Sequence, residues 1–402
     1  MKIAFFLGSV DISGGSYVIY QHALFARREG HDVTIVAQYA YQPHQLKWHP
    51  ATSELRILHI DALEADHEFD LAIATWWRTA TELHRLKARQ YAYFVQSIES
   101  RFYADGEGPL RDLVDSTYRL PLPGVTEATW IQQYLNEHHG HAYHLARNGI
   151  RKDIYREDGP AVAPRLGKGE LRVLVEGPFG VFFKNVGRSL KLMRKAQPTE
   201  TWLLTSSEVS WYPQVNRLFS RVPIDKVAEI YRSCDVIVKL SYVEGMFGPP
   251  LEMFHCGGTA VVYDVTGHDE YIVDGQNALV VARDDEAGVV SAVRRLQREP
   301  ELLASLKQGA RETAMSWPDW YASSREFLAG LHGIMDAPRV TRDEIATMNE
   351  AAMATYASRE RERLAKQPNI KWRYRLDALL DRVPASVARN LRLGRYVLES
   401  LR

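Results

Sequence analysis

DVIVKLSYVEGMFGPPLEMFHCGG, residues 235–258, sets a strand, a turn and a helix one after another. Val236 to Leu240 is a short apolar run that predicts a buried strand, and Glu244-Gly245 to Pro250 predicts a tight Gly/Pro turn. From Leu251 the apolar residues recur at helical spacing. Open α/β sheets use this succession to present helix N-termini to anionic ligands at the carboxyl ends of their strands. Glu244 and Glu252 bracket the turn with seven residues between them. One falls in the turn and the other in the first turns of the helix, so both can point into one crevice. Carboxylates so placed accept hydrogen bonds from neutral sugar hydroxyls, and the backbone N–H groups of Met246, Phe247 and Gly248 are expected to face a phosphate. The pattern suits a sugar joined to a diphosphate.

EGMFGPPLEMFHCGG resembles the glutamate-x7-glutamate signature of retaining GT-B glycosyltransferases, family 4 in particular. The match takes in both glutamates, Gly245, Gly248, Pro250, Leu251 and Gly257. The resemblance implies an α/β GT-B fold, two Rossmann-like domains facing a central cleft. It also implies that Glu244 contacts the donor sugar's hydroxyls and Glu252 the ribose hydroxyls.

Composition bounds the rest. A chain of 402 residues is too long for one ordinary core, so two domains are expected. Its 46% hydrophobic and 25% charged residues describe an ordinary globular protein. With a formal net charge of zero there is no global electrostatic case for a nucleic-acid partner. The two cysteines, Cys234 and Cys256, suggest neither a disulfide framework nor a zinc site, which favours a reducing cytoplasm. MKIAFFLGSV reads as a first strand rather than a leader, and no run approaches the roughly 18 apolar residues of a membrane span.

Outward from the motif, two alternations of strand and helix are legible. The first opens with strand Lys2–Leu7, a loop over 8–16, a helix over 17–29 and a strand over 32–37. Further strands are expected at 70–74 and 91–96, with a helix at 79–89 between them. A strand at 120–123, a helix at 124–135 and a strand at 141–145 then close an N-terminal acceptor domain, residues 1–150. GGSYVIYQHALFARREGHDVTIV resembles the family's Gly-Gly loop, which places Gly14 and Gly15 near the donor diphosphate; a tight turn alone is the other use of that pair. ARNGIRKDIYRE resembles the family's hinge, and residues 158–169 read as the linker.

The donor domain is expected over 151–335. Its first strand, 171–176, leads into GPFGVFFKN and a helix over 186–196. Here the family carries an Arg and a Lys that neutralise the diphosphate. Lys184 fits the lysine, but Gly177-Pro178 stands where Gly-Arg is expected, so Lys184, helped by Arg188, must do more. TGHDEYIVDGQNALVV resembles a later family segment and puts Glu270 at its glutamate. His255 and His268 lie near the motif without metal-ligand spacing, so no metal and no cofactor are expected. YFVQSIESRFY, STYRLPLPGVTEATWIQQYL and FFKN resemble bacterial rhamnosyltransferases of the WsaF type. In many family members a histidine ends the strand where Gln96 stands; an amide cannot serve as a general base and would orient a hydroxyl.

Residues 336–402 are expected to form a basic helical extension. From Pro338 onward there are 14 Lys/Arg against 8 Asp/Glu. Glu350 to Lys366 has a charged helical pattern, and 370–401 mixes Arg with Trp, Tyr and Leu, a composition suited to peripheral contact with an anionic inner membrane carrying a lipid-linked acceptor. The resemblance therefore implies a cytoplasmic enzyme that moves a sugar, rhamnose a candidate, from a dTDP-, UDP- or GDP-linked donor to a glycan or lipid-linked acceptor. A sugar epimerase and a catalytically silent GT-B partner protein are the alternatives.

Overall fold

The structure is a computed structural model of the chain and describes residues 1–64 and 66–366. Apolar runs bounded by Gly, Pro and polar residues become strands buried on both faces, as parallel sheets require. The described residues fall into two units, Met1–Gly149 with the helices that follow Trp317, and Ile150–Trp317. In chain order the first contains β1 (Lys2–Leu7), α1 (Gly14–Arg28), β2 (Asp32–Ala37), β3 (Arg56–His59), β4 (Glu68–Ala74), α2 (Trp77–Thr81) and β5 (Lys87–Val95). It continues with α3 (Gly108–Thr117), β6 (Gly124–Thr126), α4 (Thr129–His139) and β7 (His144–Leu145). The second contains β8 (Arg172–Glu176), α5 (Val186–Ala196), β9 (Glu200–Thr205), β10 (Arg217–Ser220), α6 (Ile224–Ser233), β11 (Val236–Lys239) and α7 (Gly248–His255). It closes with β12 (Thr259–Tyr263), β13 (Leu279–Val281), α8 (Glu286–Arg298) and α9 (Pro300–Ser316), after which α10 (Trp320–Asp336) and α11 (Arg342–Lys366) belong to the first unit.

Both sheets have the same winding. Strand order is β3-β2-β1-β4-β5-β6-β7 in the first and β10-β9-β8-β11-β12-β13 in the second, every pairing parallel. Winding direction reverses between β1 and β4, and again between β8 and β11. A crevice opens beyond the carboxyl ends at such a reversal, because the crossovers on either side lead to opposite faces.

Several sequence expectations are corrected. The second unit ends at Trp317, short of the 335 expected for the second domain. Phe327, Leu328, Leu331 and Ile334 of α10 join the core of the first sheet, with Phe327 stacked on Phe5 and on the buried His22. Burial lowers the His22 imidazole to about 3, so it packs as a neutral ring and bonds Ser324 through Nδ1 at 3.0 Å. The helix expected over 79–89 is the short α2, and Lys87–Val95 is one strand. Tertiary bonding overrides helix propensity there: the buried Gln90 donates to the carbonyl of Ile334 at 3.1 Å. Gly124 is in a strand, not a helix start, because a Cβ there would lie 2.3 Å from the Tyr93 carbonyl of the neighbouring β5. The half-exposed strands β3 and β10 and the helix α3 were not expected. Residues 158–169 are strapped to the second unit, where Arg165 donates to the carbonyls of Cys234 and Cys256. In the expected extension α11 is present, and 370–401 lies outside the described residues.

Candidate active site

At the winding reversal of the second sheet, β8 ends in Glu176 and β11 in Lys239. Gly177 follows at φ +144°, a conformation that side chains rarely adopt, and a Cβ on it would stand 2.9 Å from Val186 Cγ2. This tight exit brings the turn Phe182–Lys184 back over the strand ends. Asn185, itself left-handed at φ 56°, donates through Nδ2 to the Leu240 carbonyl at 3.1 Å, and Tyr242 N–H donates to the Phe183 carbonyl at 2.7 Å. Lys184 is thereby held against the Glu244 turn. Gly177→Ala should cost roughly 1–3 kcal/mol in urea unfolding, from strained backbone plus the Val186 contact.

Lys184 Nζ donates to Glu244 Oε2 at 2.6 Å. Glu244 is buried, and its Oε1 makes no hydrogen bond of good geometry; the buried Ser241 hydroxyl lies beside the carboxylate and helps to lower its pKa. Burial pushes the Glu244 carboxyl up, but the Lys184 and Lys239 cations outweigh that and hold it below the ordinary carboxylate range. Lys239, at 3% side-chain exposure, pairs with the Glu176 carboxylate. Burial opposes its charge, while Glu176, then Glu244 and Glu252, stabilise it and raise its pKa. Lys239 was read from sequence only as part of an apolar run. A cation ending such a run was the available signal, since buried lysines require a partner.

Glu252 stands in α7, half-buried, within the same cluster. Burial and then the nearby Glu176 carboxylate raise it to about 7, against hydrogen bonds from the Tyr231 and Tyr155 hydroxyls. Because its folded pKa lies above the unfolded value, the folded state holds the extra proton between roughly pH 4.5 and 7. Stability from this group is therefore present in acid and lost as pH rises through about 7. Glu252→Gln should raise Tm more at pH 8 than at pH 5 in paired melting curves.

Of the other expected donor contacts, Gly248 is placed differently. Phe247 is fully buried as a side chain, and its carbonyl accepts from the Tyr271 hydroxyl. Gly248 N–H is spent on the Met246 carbonyl at 2.9 Å, so it does not face a phosphate. Pro249 and Pro250 carry no N–H in the first turn of α7, which reduces that helix end to its dipole and few donors. Arg188 is already engaged, with Asp284 and Glu286. Lys184 and Lys239 are left as the cations beside Glu244.

In the first unit Gly14 and Gly15 open α1 rather than a loop, with Ser13 capping the helix by accepting from Ser16 N–H at 3.0 Å. Gln96 lies just past β5, and its amide is 3.4 Å from where a Gly15 Cβ would stand. Its Nε2 donates to the Thr75 carbonyl at 3.3 Å, so Gln96 and Gly15 meet at the carboxyl edge of β4 and β5. Among the described residues no cluster of three or more His, Cys, Asp or Glu could hold a metal ion; Nδ1 of His255 and of His268 faces the carbonyls of Leu251 and Val265. None of their helices is long and apolar enough to cross a membrane.

Residues 214–313, which include Lys239, Glu244 and Glu252 but not Lys184, match the family described as Glycosyl transferases group 1. The chain is 27% identical over 294 residues to the O-antigen biosynthesis protein RfbC of Myxococcus xanthus, a match spanning 70% of this chain and 22% of that protein. It spans between about a fifth and a half of the length of the curated relatives it matches. Its structure resembles sucrose-phosphate synthase from Thermosynechococcus elongatus, with a TM-score of 0.65 at 14% identity over 84% of this chain and 99% of that one. It also resembles HepE of Anabaena, solved in complex with UDP-glucose, with a TM-score of 0.66 at 14% identity over 83% and 100%. The fold is GT-B. In this GT-B chain the reversal β8/β11 of the second unit carries the lysine and glutamate cluster, and the carboxyl edge of β4 and β5 in the first unit carries Gly15 and Gln96.

Proposed function

We propose that the chain is a retaining, metal-independent glycosyltransferase. It would move a sugar from a nucleotide-diphosphate donor to a glycan or lipid-linked acceptor in bacterial surface-polysaccharide synthesis. Support comes chiefly from the Lys184–Glu244 pair at the winding reversal, with Glu244 Oε1 buried and making no hydrogen bond of good geometry. A buried carboxylate oxygen without a donor is costly unless a ligand hydroxyl supplies one. In this reading Glu244 Oε1 accepts from a donor-sugar hydroxyl and Glu252 from the ribose. Lys184, 23% exposed, turns toward the leaving diphosphate, and Lys239 helps keep the Glu244 carboxylate charged behind it. Positive charge fixed where negative charge develops is the electrostatic strategy that favours departure of the phosphate. Gln96 orients an acceptor hydroxyl, and Gly14 and Gly15 approach the donor diphosphate, as the family resemblance implies. Retention follows the family-4 resemblance, with the leaving phosphate taking the acceptor's proton on the same face. Rhamnose follows the WsaF resemblance, and the surface-glycan role accords with the O-antigen function in RfbC's name.

A thermal-shift panel of dTDP-rhamnose, UDP-glucose and GDP-mannose tests the donor site. One of them should raise the Tm of wild type and not of Glu252→Ala, since stabilisation requires binding to the folded state. No shift from any donor would move the chain to the silent-partner reading, which the engaged Arg188 and the Gly177-Pro178 substitution favour.

A further inference from the structure

Three neighbouring strands of the first sheet, β2, β1 and β4, deliver Tyr39, Gly8 and Trp76 to one carboxyl edge. The half-buried Trp76 ring packs against Gly8, where a Cβ would come within 2.5 Å of it. The Thr79 hydroxyl accepts from the backbone N–H groups of Thr75 and Trp76, each at 3.0 Å, which fixes this turn. Tyr39 stands edge-on to Trp76 at 6.2 Å and is 41% exposed. Arg78 is exposed, with its guanidinium 5.4 Å from the Trp76 ring centre and 4.8 Å from that of Trp77. Its polar partner is the Tyr39 hydroxyl at 3.4 Å, and among the described residues no carboxylate pairs with it. The Trp76 indole N–H also makes no hydrogen bond among them.

We propose that this edge binds a pyranose bearing an anionic group, with the ring's apolar face on Trp76 and Tyr39 and the acid on Arg78. The inference rests on the glycosyltransferase reading and assigns the acceptor's chemical class. Aromatic rings offer flat apolar area at little entropic cost, and a guanidinium held on two indoles keeps its fork free for a carboxylate or phosphate. A neutral sugar would leave the cation without its counter-charge.

Saturation-transfer NMR on the full chain tests this with methyl β-D-glucuronide, glucose 6-phosphate and methyl β-D-glucoside, alongside the donor thermal shift. At least one acid should bind about tenfold more tightly than the neutral glucoside, the two acid arms distinguishing carboxylate from phosphate. Arg78→Gln, an exposed change, should bring the acid down to the glucoside's affinity and leave the donor shift intact. Trp76→Ala should abolish saturation of every sugar, and Trp76→Phe should restore part of it. Equal binding of acid and neutral sugars, an unchanged Arg78→Gln, or no sugar signal in a chain that still responds to donor would overturn the assignment. Acid binding without any donor shift would uphold this surface and sink the donor site instead.

Discussion

Glu244→Gln should lower kcat about 10²–10³-fold while the KM for donor changes only a few-fold, the loss seen when one preorganised polar contact to the transition state is removed. The substitution keeps the shape of the side chain and takes away its charge. Lys184 then loses the carboxylate it touches at 2.6 Å, and the buried oxygen that makes no hydrogen bond of good geometry is replaced or turned. Because Lys184 is partly exposed, water can compensate for the lost pair, so the fold should survive and the defect should fall on turnover. Steady-state assay of donor consumption decides it, and a wild-type kcat in Glu244→Gln would remove Glu244 from the chemistry.

Lys239→Met should be the most destabilising change at the cluster, by about 3–5 kcal/mol, as when one partner of a buried pair is deleted. Glu176 would lose its ion-pair partner, and Glu244 and Glu252 a cation that favours their charged forms. In wild type the Glu244 pKa is depressed, so its contribution is present above the ordinary carboxylate range and lost as pH falls through the folded value. Without Lys239 the carboxyl pKa values rise, and the penalty is then largest where the carboxyls must ionise. Urea denaturation should show a larger loss at pH 8 than at pH 5, with Lys239→Arg recovering part of it. An equal loss at both pH values would mean that Lys239 acts through packing rather than charge.

Strongly patterned parts of this chain were legible from sequence: β1, β2, β8 and α5 lie where apolar runs and helical spacing placed them, and the two alternations of strand and helix became two parallel sheets. What escaped lacked a local signal. RILH in β3 and RLFS in β10 are half-exposed strands without a clean apolar face, and KARQ at the start of β5 favours helix until Gln90 finds the carbonyl of Ile334 far along the chain. The glutamates were visible because a turn separates them in a recognisable motif. Lys239, Ser241 and the tyrosines around Glu252 were not, because only the parallel register of β11 beside β8 brings Lys239 to Glu176. Spacing also could not show that Gly248 N–H is already occupied.

The return of α10 into the core of the first sheet has a consequence for synthesis. Trp320, Phe327, Leu331 and Ile334 complete an apolar surface whose other half, including Ile3, Phe5 and Phe94, leaves the ribosome more than two hundred residues earlier. Among the described residues the unit spanning Ile150–Trp317 is contiguous and can finish before α10 is made, whereas the first sheet waits with that surface uncovered until α10 has emerged. A nascent chain stalled before Pro318 would therefore present a chaperone substrate, and a stop codon there would remove the lid of one core while leaving the other whole.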